Sequence, residues 1–179
     1  MLVLDTNVIS ELMRPAPDRS VVAWVGEQPG GSLFTTTVTE AELRYGLALL
    51  SAGTRRKRLI DAFDRMMAED FARRVLPFDR DAARAYADIV ASRRLSGRPI
   101  AQFDAQTAAI ACSRDAGVVT RNERDFSNCV IEVINPWSLN PEPCIPTHER
   151  SGAGGFNVVR RGCNPDLQPR KPEPGNRNL

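Results

Sequence analysis

Leu2-Val3-Leu4-Asp5-Thr6-Asn7 opens the chain with three consecutive aliphatic residues, then an acid, a hydroxyl and an amide. An unbroken apolar run of this kind fits a strand buried on both faces, not one that alternates between core and water. Such strands belong to parallel sheets, and the rest of the chain supplies alternating helices. Residues 6–10 turn into helix, Pro15 and Pro17 break it, and residues 20–26 (Val21, Val22, Val25) read as a second short helix. The β-branched run Leu33-Phe34-Thr35-Thr36-Thr37-Val38 reads as the next strand. Thr39-Glu40-Ala41-Glu42 then opens a helix whose Leu43, Gly46, Leu47 and Leu50 form one apolar stripe. Helical spacing recurs over residues 55–71 and 79–95, with a short strand at Val75-Leu76 between them. A small-residue helix begins at Asp104 and runs to Cys112, with Gly117 as its positive-φ closing residue. Strands are expected at residues 118–120 and 130–134, the last stopped by Asn135-Pro136. Strands alternating with helices predict an α/β sandwich around a mostly parallel sheet.

Composition sets the limits of that domain. Residues 1–140 hold 18 basic and 18 acidic side chains, so they are neutral, whereas residues 141–179 hold 6 and 4. The same 39 C-terminal residues contain 7 of the 13 prolines and only 9 apolar side chains. So little apolar surface cannot offset chain entropy, and residues 140–179 are expected to be a disordered Pro/Gly/Arg-rich tail behind a domain at residues 1–139. No apolar run reaches the ~18 residues needed to span a bilayer. Asp5 interrupts the first apolar run and no basic segment precedes it, so no secretory signal and a cytoplasmic location are expected. Cys112, Cys129, Cys144 and Cys163 are widely spaced and the single histidine is His148, a poor zinc set. Buried neutral thiols are expected for Cys112 and Cys129.

Four acids stand where chemistry gathers in this kind of fold, outside the carboxyl ends of the strands. Asp5 ends the first strand. Glu42 is expected in the first turn of the helix after the second strand. Asp104 starts a helix, and Asp125 follows the strand at 118–120 by five residues. Asp104 reaches the same edge only if its helix begins there. Four converging carboxylates without histidine or cysteine form a hard-oxygen set suited to Mg²⁺, with Mn²⁺ as the alternative ion. The matching chemistry is hydrolysis of a phosphodiester. Each acid also has a structural explanation. Thr39-x-x-Glu42 fits a capping box, Asp104 and Asp5 fit N-caps, and Asn122-Glu123-Arg124-Asp125 fits a polar loop. Thr6, Asn7, Thr120 and Asn122 lie beside the acids, either to hold their geometry or as ordinary turn residues.

The basic residues, 22 arginines and 2 lysines, cluster at Arg55-Arg56-Lys57-Arg58, Arg73-Arg74 and Arg93-Arg94, with Arg98 close by. Such clusters grip a phosphate backbone or form the solvated face of a helix. The apolar positions Leu47, Leu49, Leu50, Leu59, Phe63, Met66 and Met67 exceed what one core stripe needs, so part of that helix pair is expected to offer a partner surface.

Four segments in order, Leu2-Val3-Leu4-Asp5-Thr6-Asn7-Val8, Thr39-Glu40-Ala41-Glu42-Leu43-Arg44-Tyr45-Gly46, Asp104-Ala105-Gln106-Thr107-Ala108-Ala109-Ile110-Ala111 and Val119-Thr120-Arg121-Asn122-Glu123-Arg124-Asp125-Phe126, resemble the PIN-domain ribonuclease toxins of the VapC family. The resemblance runs from residue 1 to about residue 139. It implies a PIN-like α/β/α sandwich and a Mg²⁺-dependent endoribonuclease, the toxin of a type II toxin–antitoxin pair. It implies tRNA or rRNA as substrate, a VapB-like antitoxin that carries the DNA-binding part, and a homodimer. The family's four acids match Asp5, Glu42, Asp104 and Asp125, all candidate metal ligands and catalytic residues. Thr107 stands where an aliphatic residue is usual in the family. Beyond Asn140 the chain has no counterpart in the pattern.

Two other classes compete with that expectation. A catalytically silent module would bind an antitoxin-type helix without turnover, and the presence of all four acids argues against it. A phosphatase with Asp5 as nucleophile typically needs a second Asp two residues on, where this chain has Asn7.

Overall fold

β1 (Leu2–Leu4) lies at the centre of a five-stranded sheet in a computed structural model that describes residues 1–139. The tail expected at residues 140–179 lies outside the described residues. The strands β2 (Leu33–Thr36), β3 (Val75–Leu76), β4 (Gly117–Val119) and β5 (Val133–Ile134) complete the sheet in the order β3-β2-β1-β4-β5, and every pairing is parallel. Seven helices accompany them among the described residues: α1 (Thr6–Leu12), α2 (Arg19–Glu27), α3 (Thr37–Ala48), α4 (Thr54–Glu69), α5 (Arg80–Leu95), α6 (Gln102–Cys112) and α7 (Glu123–Phe126).

Side-chain alternation along the strands builds two cores. Val3 and Val118 face Ile89 of α5, the small residues Ala108, Ala109 and Ala111 of α6, and Phe126 of α7. Leu4 and Val119 face the opposite way, onto Val8 and Ile9 of α1, Val21 of α2, Leu43 of α3 and Phe63 of α4. The two central strands are thus covered on both sides, which is why they read as continuous apolar runs. The α/β/α sandwich is present, and the sheet is wholly parallel where a mostly parallel one was expected.

Local differences have local causes. The second strand ends at Thr36, not Val38, because the Thr36 hydroxyl accepts the Thr39 amide at 2.9 Å and caps α3. The cap is therefore Thr36, and the Thr39/Glu42 capping box does not form. Glu42 sits in the second turn of α3 instead of the first. Gly117 does not close α6. It lies inside β4, where an added Cβ would stand 3.1 Å from Leu2, and the positive-φ turn residue is Asp115 (φ 50°). Val130 also turns with positive φ (57°), which delays the last strand to Val133. Of the apolar residues on α3 and α4, Phe63 is buried and Leu47, Met66 and Met67 pack against the core. Tyr45 and Leu49 remain 66% and 68% exposed, so part of that surface is free as expected. Cys112 and Cys129 are free thiols, Cys129 buried, and burial pushes its thiol up. No helix among the described residues is long and apolar enough to cross a membrane.

Candidate active site

The strand order reverses between β1 and β4, and a crevice at that point is where doubly wound sheets place their sites. Register makes the two strand ends level. Leu4 pairs with Val119, and the Asp5 amide donates to the Val119 carbonyl at 3.0 Å. Asp5 and Thr120 therefore emerge side by side at the carboxyl edge.

Asp5 is buried and held by three donors. Its Oδ1 accepts the Thr6 amide at 2.7 Å, and its Oδ2 accepts the Thr120 hydroxyl and the Asn7 Nδ2 amide, both at 2.8 Å. Asn7 Nδ2 also reaches the Thr120 oxygen at 2.9 Å, and the Asn122 amide donates to that same oxygen at 3.0 Å. The Asn7 Oδ1 in turn accepts the Arg121 amide at 3.1 Å. Thr6, Asn7, Thr120 and Asn122 thus form one network around the acid, more than independent turn residues would. Asp5 is also the N-cap residue of α1, as its structural explanation has it.

Thr6 extends the network to the second acid: its hydroxyl donates to Glu42 Oε2 at 2.6 Å. Asp104 lies in the first turn of α6, two residues inside the helix, with Ala101 at the cap position and no side-chain capping bond. The N-cap explanation for Asp104 therefore fails. Because α6 runs back against the strands before β4, its start comes to the carboxyl edge. Asp125 is exposed on the single turn α7, anchored by its buried neighbour Phe126.

Electrostatics tie the four acids together. Asp104 is pushed up from an ordinary 3.8 to about 6, first by burial and then by the charges of Asp5, Asp125 and Glu42. Burial also raises Asp5, against the pull of its Thr120 and Thr6 hydrogen bonds, with Glu42 and Asp125 adding to the rise. Every donor in the set is a carboxylate oxygen, and mutual repulsion of this kind is what a hard divalent cation relieves. The residues fit such an ion. Among the described residues no three His, Cys, Asp or Glu side chains close into a cage by themselves.

Two features escaped the sequence reading. The Arg121 guanidinium stacks 5.4 Å from the Trp137 ring centroid, and Asn135 Nδ2 donates to Glu123 Oε1 at 2.7 Å, so the last strand ties down the loop that carries Asp125. No local pattern joins positions so far apart in the chain. Arg93 is the other: it is not a solvated helix residue, because its side chain is buried and its Nη1 donates to Ser127. Of the Arg55–Arg58 run, Arg55, Lys57 and Arg58 are exposed, and Arg56 is half-buried with Nη1 donating to the Leu50 carbonyl at 3.4 Å.

Residues 2–130 match the PIN domain family. The chain is 44% identical over 137 residues to VapC ribonuclease Y4jK of Sinorhizobium fredii, covering 76% of this chain and 98% of that protein. It is 39% identical over 137 residues to toxin FitB of Neisseria gonorrhoeae, covering 76% and 99%. Among solved structures, a chain of FitAB bound to a DNA fragment superposes with a TM-score of 0.74 at 37% identity, covering 79% of this chain and 99% of that one. With four acids at the switch point of a parallel sheet, and full-length likeness to these relatives, this chain belongs to the PIN-domain family, in the branch that holds the VapC and FitB toxins.

Proposed function

We propose that this protein is a divalent-metal-dependent endoribonuclease, Mg²⁺ being the natural ion, and the toxin of a type II toxin–antitoxin pair. The single observation that carries the chemistry is the geometry at the carboxyl edge: Asp5 emerges beside Thr120, Thr6 ties Glu42 to it, and the first turn of α6 carries Asp104. Asp5 and Asp104 would hold the ion, with Glu42 and Asp125 completing the site by direct ligation or through water. When bound, the ion supplies charge neutralisation at the scissile phosphate and lowers the pKa of an attacking water.

The chain's own residues do the positioning. Three donors hold the Asp5 carboxylate in one orientation, and Oδ1, which accepts only one of these bonds, keeps acceptor capacity for a cation. Thr6 fixes Glu42 through a short charge-assisted bond. Asp125, being exposed, stands where an attacking water can reach it and can accept its proton. The likeness to VapC and FitB proteins supports an antitoxin partner. The exposed Tyr45 of α3 and Leu49 at its C-cap fit its docking surface.

Purified protein with millimolar Mg²⁺ is expected to cleave RNA, and tRNA and rRNA are the substrates to try first. Asp5→Asn and Asp104→Asn should each lower kcat by about 100-fold or more, and Asp104→Asn, whose side chain caps nothing, should do so without lowering the melting temperature. Undiminished cleavage in excess EDTA, or by either variant, would overturn the mechanism.

A further inference from the structure

Beside the acid cluster lies a cleft of ≈ 500 Å³ lined by Arg93, Arg98, Pro99, Arg124, Asp125 and Ser127. Its construction begins at the end of α5. Gly97 adopts φ 70°, its amide donates to the Arg94 carbonyl at 3.1 Å, and the Arg98 amide donates to the Arg93 carbonyl at 2.9 Å. This is a Schellman turn, and it doubles the chain back so that Arg98 joins Arg93 on the same cleft wall. The opposite side comes from α7 and the residue after it, with Arg124, Asp125 and Ser127.

Arg93 is the unusual member. It is 5% exposed, its Nη1 donates to the backbone and side-chain oxygens of Ser127, and its Nε has no hydrogen-bond partner. Among the described residues no carboxylate pairs with Arg93, Arg98 or Arg124. A buried arginine without an anion is strongly unfavourable, and such groups are normally compensated by a counter-charge. Three unpaired guanidinium groups in a walled cleft describe an anion site, and guanidinium forks match phosphate oxygens. Asp125 belongs to both the cleft and the acid cluster, so the cleft adjoins the candidate active site.

We infer that the Arg93–Arg98–Arg124 cleft is a phosphate subsite that holds an RNA backbone phosphate flanking the scissile one. This rests on the ribonuclease reading above. The subsite explains how a neutral domain holds a polyanion: the positive charge is local and unpaired. It also separates binding from chemistry, since the arginines hold the flanking chain while the acids act on the bond.

The test uses Arg98→Gln with Arg124→Gln, both exposed positions, so the fold is retained and melting should be unchanged. Binding of a fluorescent single-stranded RNA oligomer is measured by anisotropy in an Asp5→Asn background across a salt series, and cleavage kinetics are measured in the active protein. The double variant should weaken oligomer binding about tenfold and reduce the salt slope by roughly 0.7 for each phosphate that is no longer neutralised. In cleavage it should raise KM with kcat little changed. A dinucleoside monophosphate, which has no flanking phosphate, should be cleaved equally well by both proteins, and inorganic phosphate should compete only weakly. Unchanged oligomer affinity and salt slope would overturn the subsite. So would equal impairment on both substrates, or weaker binding of an acidic protein partner with RNA affinity intact. Failure of wild-type protein to cleave any RNA would instead overturn the ribonuclease reading, and the anisotropy series distinguishes the two failures.

Discussion

Asp5 and Asp104 are both aspartates at the mouth of one crevice, but the fold treats them differently. Asp5 accepts three hydrogen bonds, which stabilise its charge. Nothing offsets Asp104: burial and three neighbouring carboxylates all raise it, to about 6. The sign for stability follows. A carboxylate whose folded pKa lies above its unfolded one favours the folded state when protonated, so its contribution is full below about pH 4 and lost as pH rises through about 6. In EDTA, Asp104→Asn should therefore unfold at higher urea than wild type at pH 7.5. After discounting for its half-exposed position the gain should be about 1–2 kcal/mol, and it should vanish by about pH 4. Millimolar Mg²⁺ should narrow the gap by stabilising wild type alone. A less stable Asn variant at pH 7.5 would contradict this account of the site. The presence of these acids was legible in the order of the four segments. Their inequality was not, because it depends on donors and burial supplied by residues over a hundred positions away, as with Thr120 on Asp5.

Among the elements, α3 carries Glu42 and owes its start to one hydroxyl. Thr35, Thr36, Thr37 and Val38 all favour strand, so propensity carries β2 to Val38. The Thr36 hydroxyl breaks the tie by taking the Thr39 amide, and it also donates to the Thr39 hydroxyl at 3.0 Å. Thr36→Val keeps shape and volume but removes the cap. It should cost about 1 kcal/mol in a urea melt, as lost Ser/Thr caps do. Glu42→Ala should lower cleavage and cost only the hydrogen bond from Thr6, leaving the helix start intact, since Glu42 caps nothing. A loss of helix stability on Glu42→Ala, with Thr36→Val neutral, would restore the capping-box assignment. The same competition moved the end of α6. Asp115, not Gly117, takes the left-handed turn, and Gly117 enters the strand where the Leu2 side chain leaves little room for a Cβ.

For the whole molecule, strand order decides where function sits. The reversal between β1 and β4 opens the crevice, and α6 returns to that same edge to deliver Asp104. Closure of the domain comes late in the chain. Trp137 packs against the core cluster that contains Leu4 and Val8, while Arg121 covers its ring. We propose on this ground that the domain ends at about residue 139. A chain ending at residue 139 should melt as the full chain does and retain RNA cleavage. One ending at residue 135 should lose about 1–3 kcal/mol from the removed tryptophan and lose activity through the loosened Asp125 loop. Loss of cleavage by the 139-residue chain with melting unchanged would show that the remaining residues act in catalysis.

Sequence alone determined the alternation of strands and helices, the acids and their order along the chain, and the family they resemble. Those are properties of short segments: apolar runs, helical spacing and residue types within a few positions. The tertiary structure alone decided that four acids share one field, that Thr6 joins Asp5 to Glu42, and that Arg93 is buried without an anion. Each of these depends on parallel strands bringing distant segments level at one edge, which no local pattern encodes.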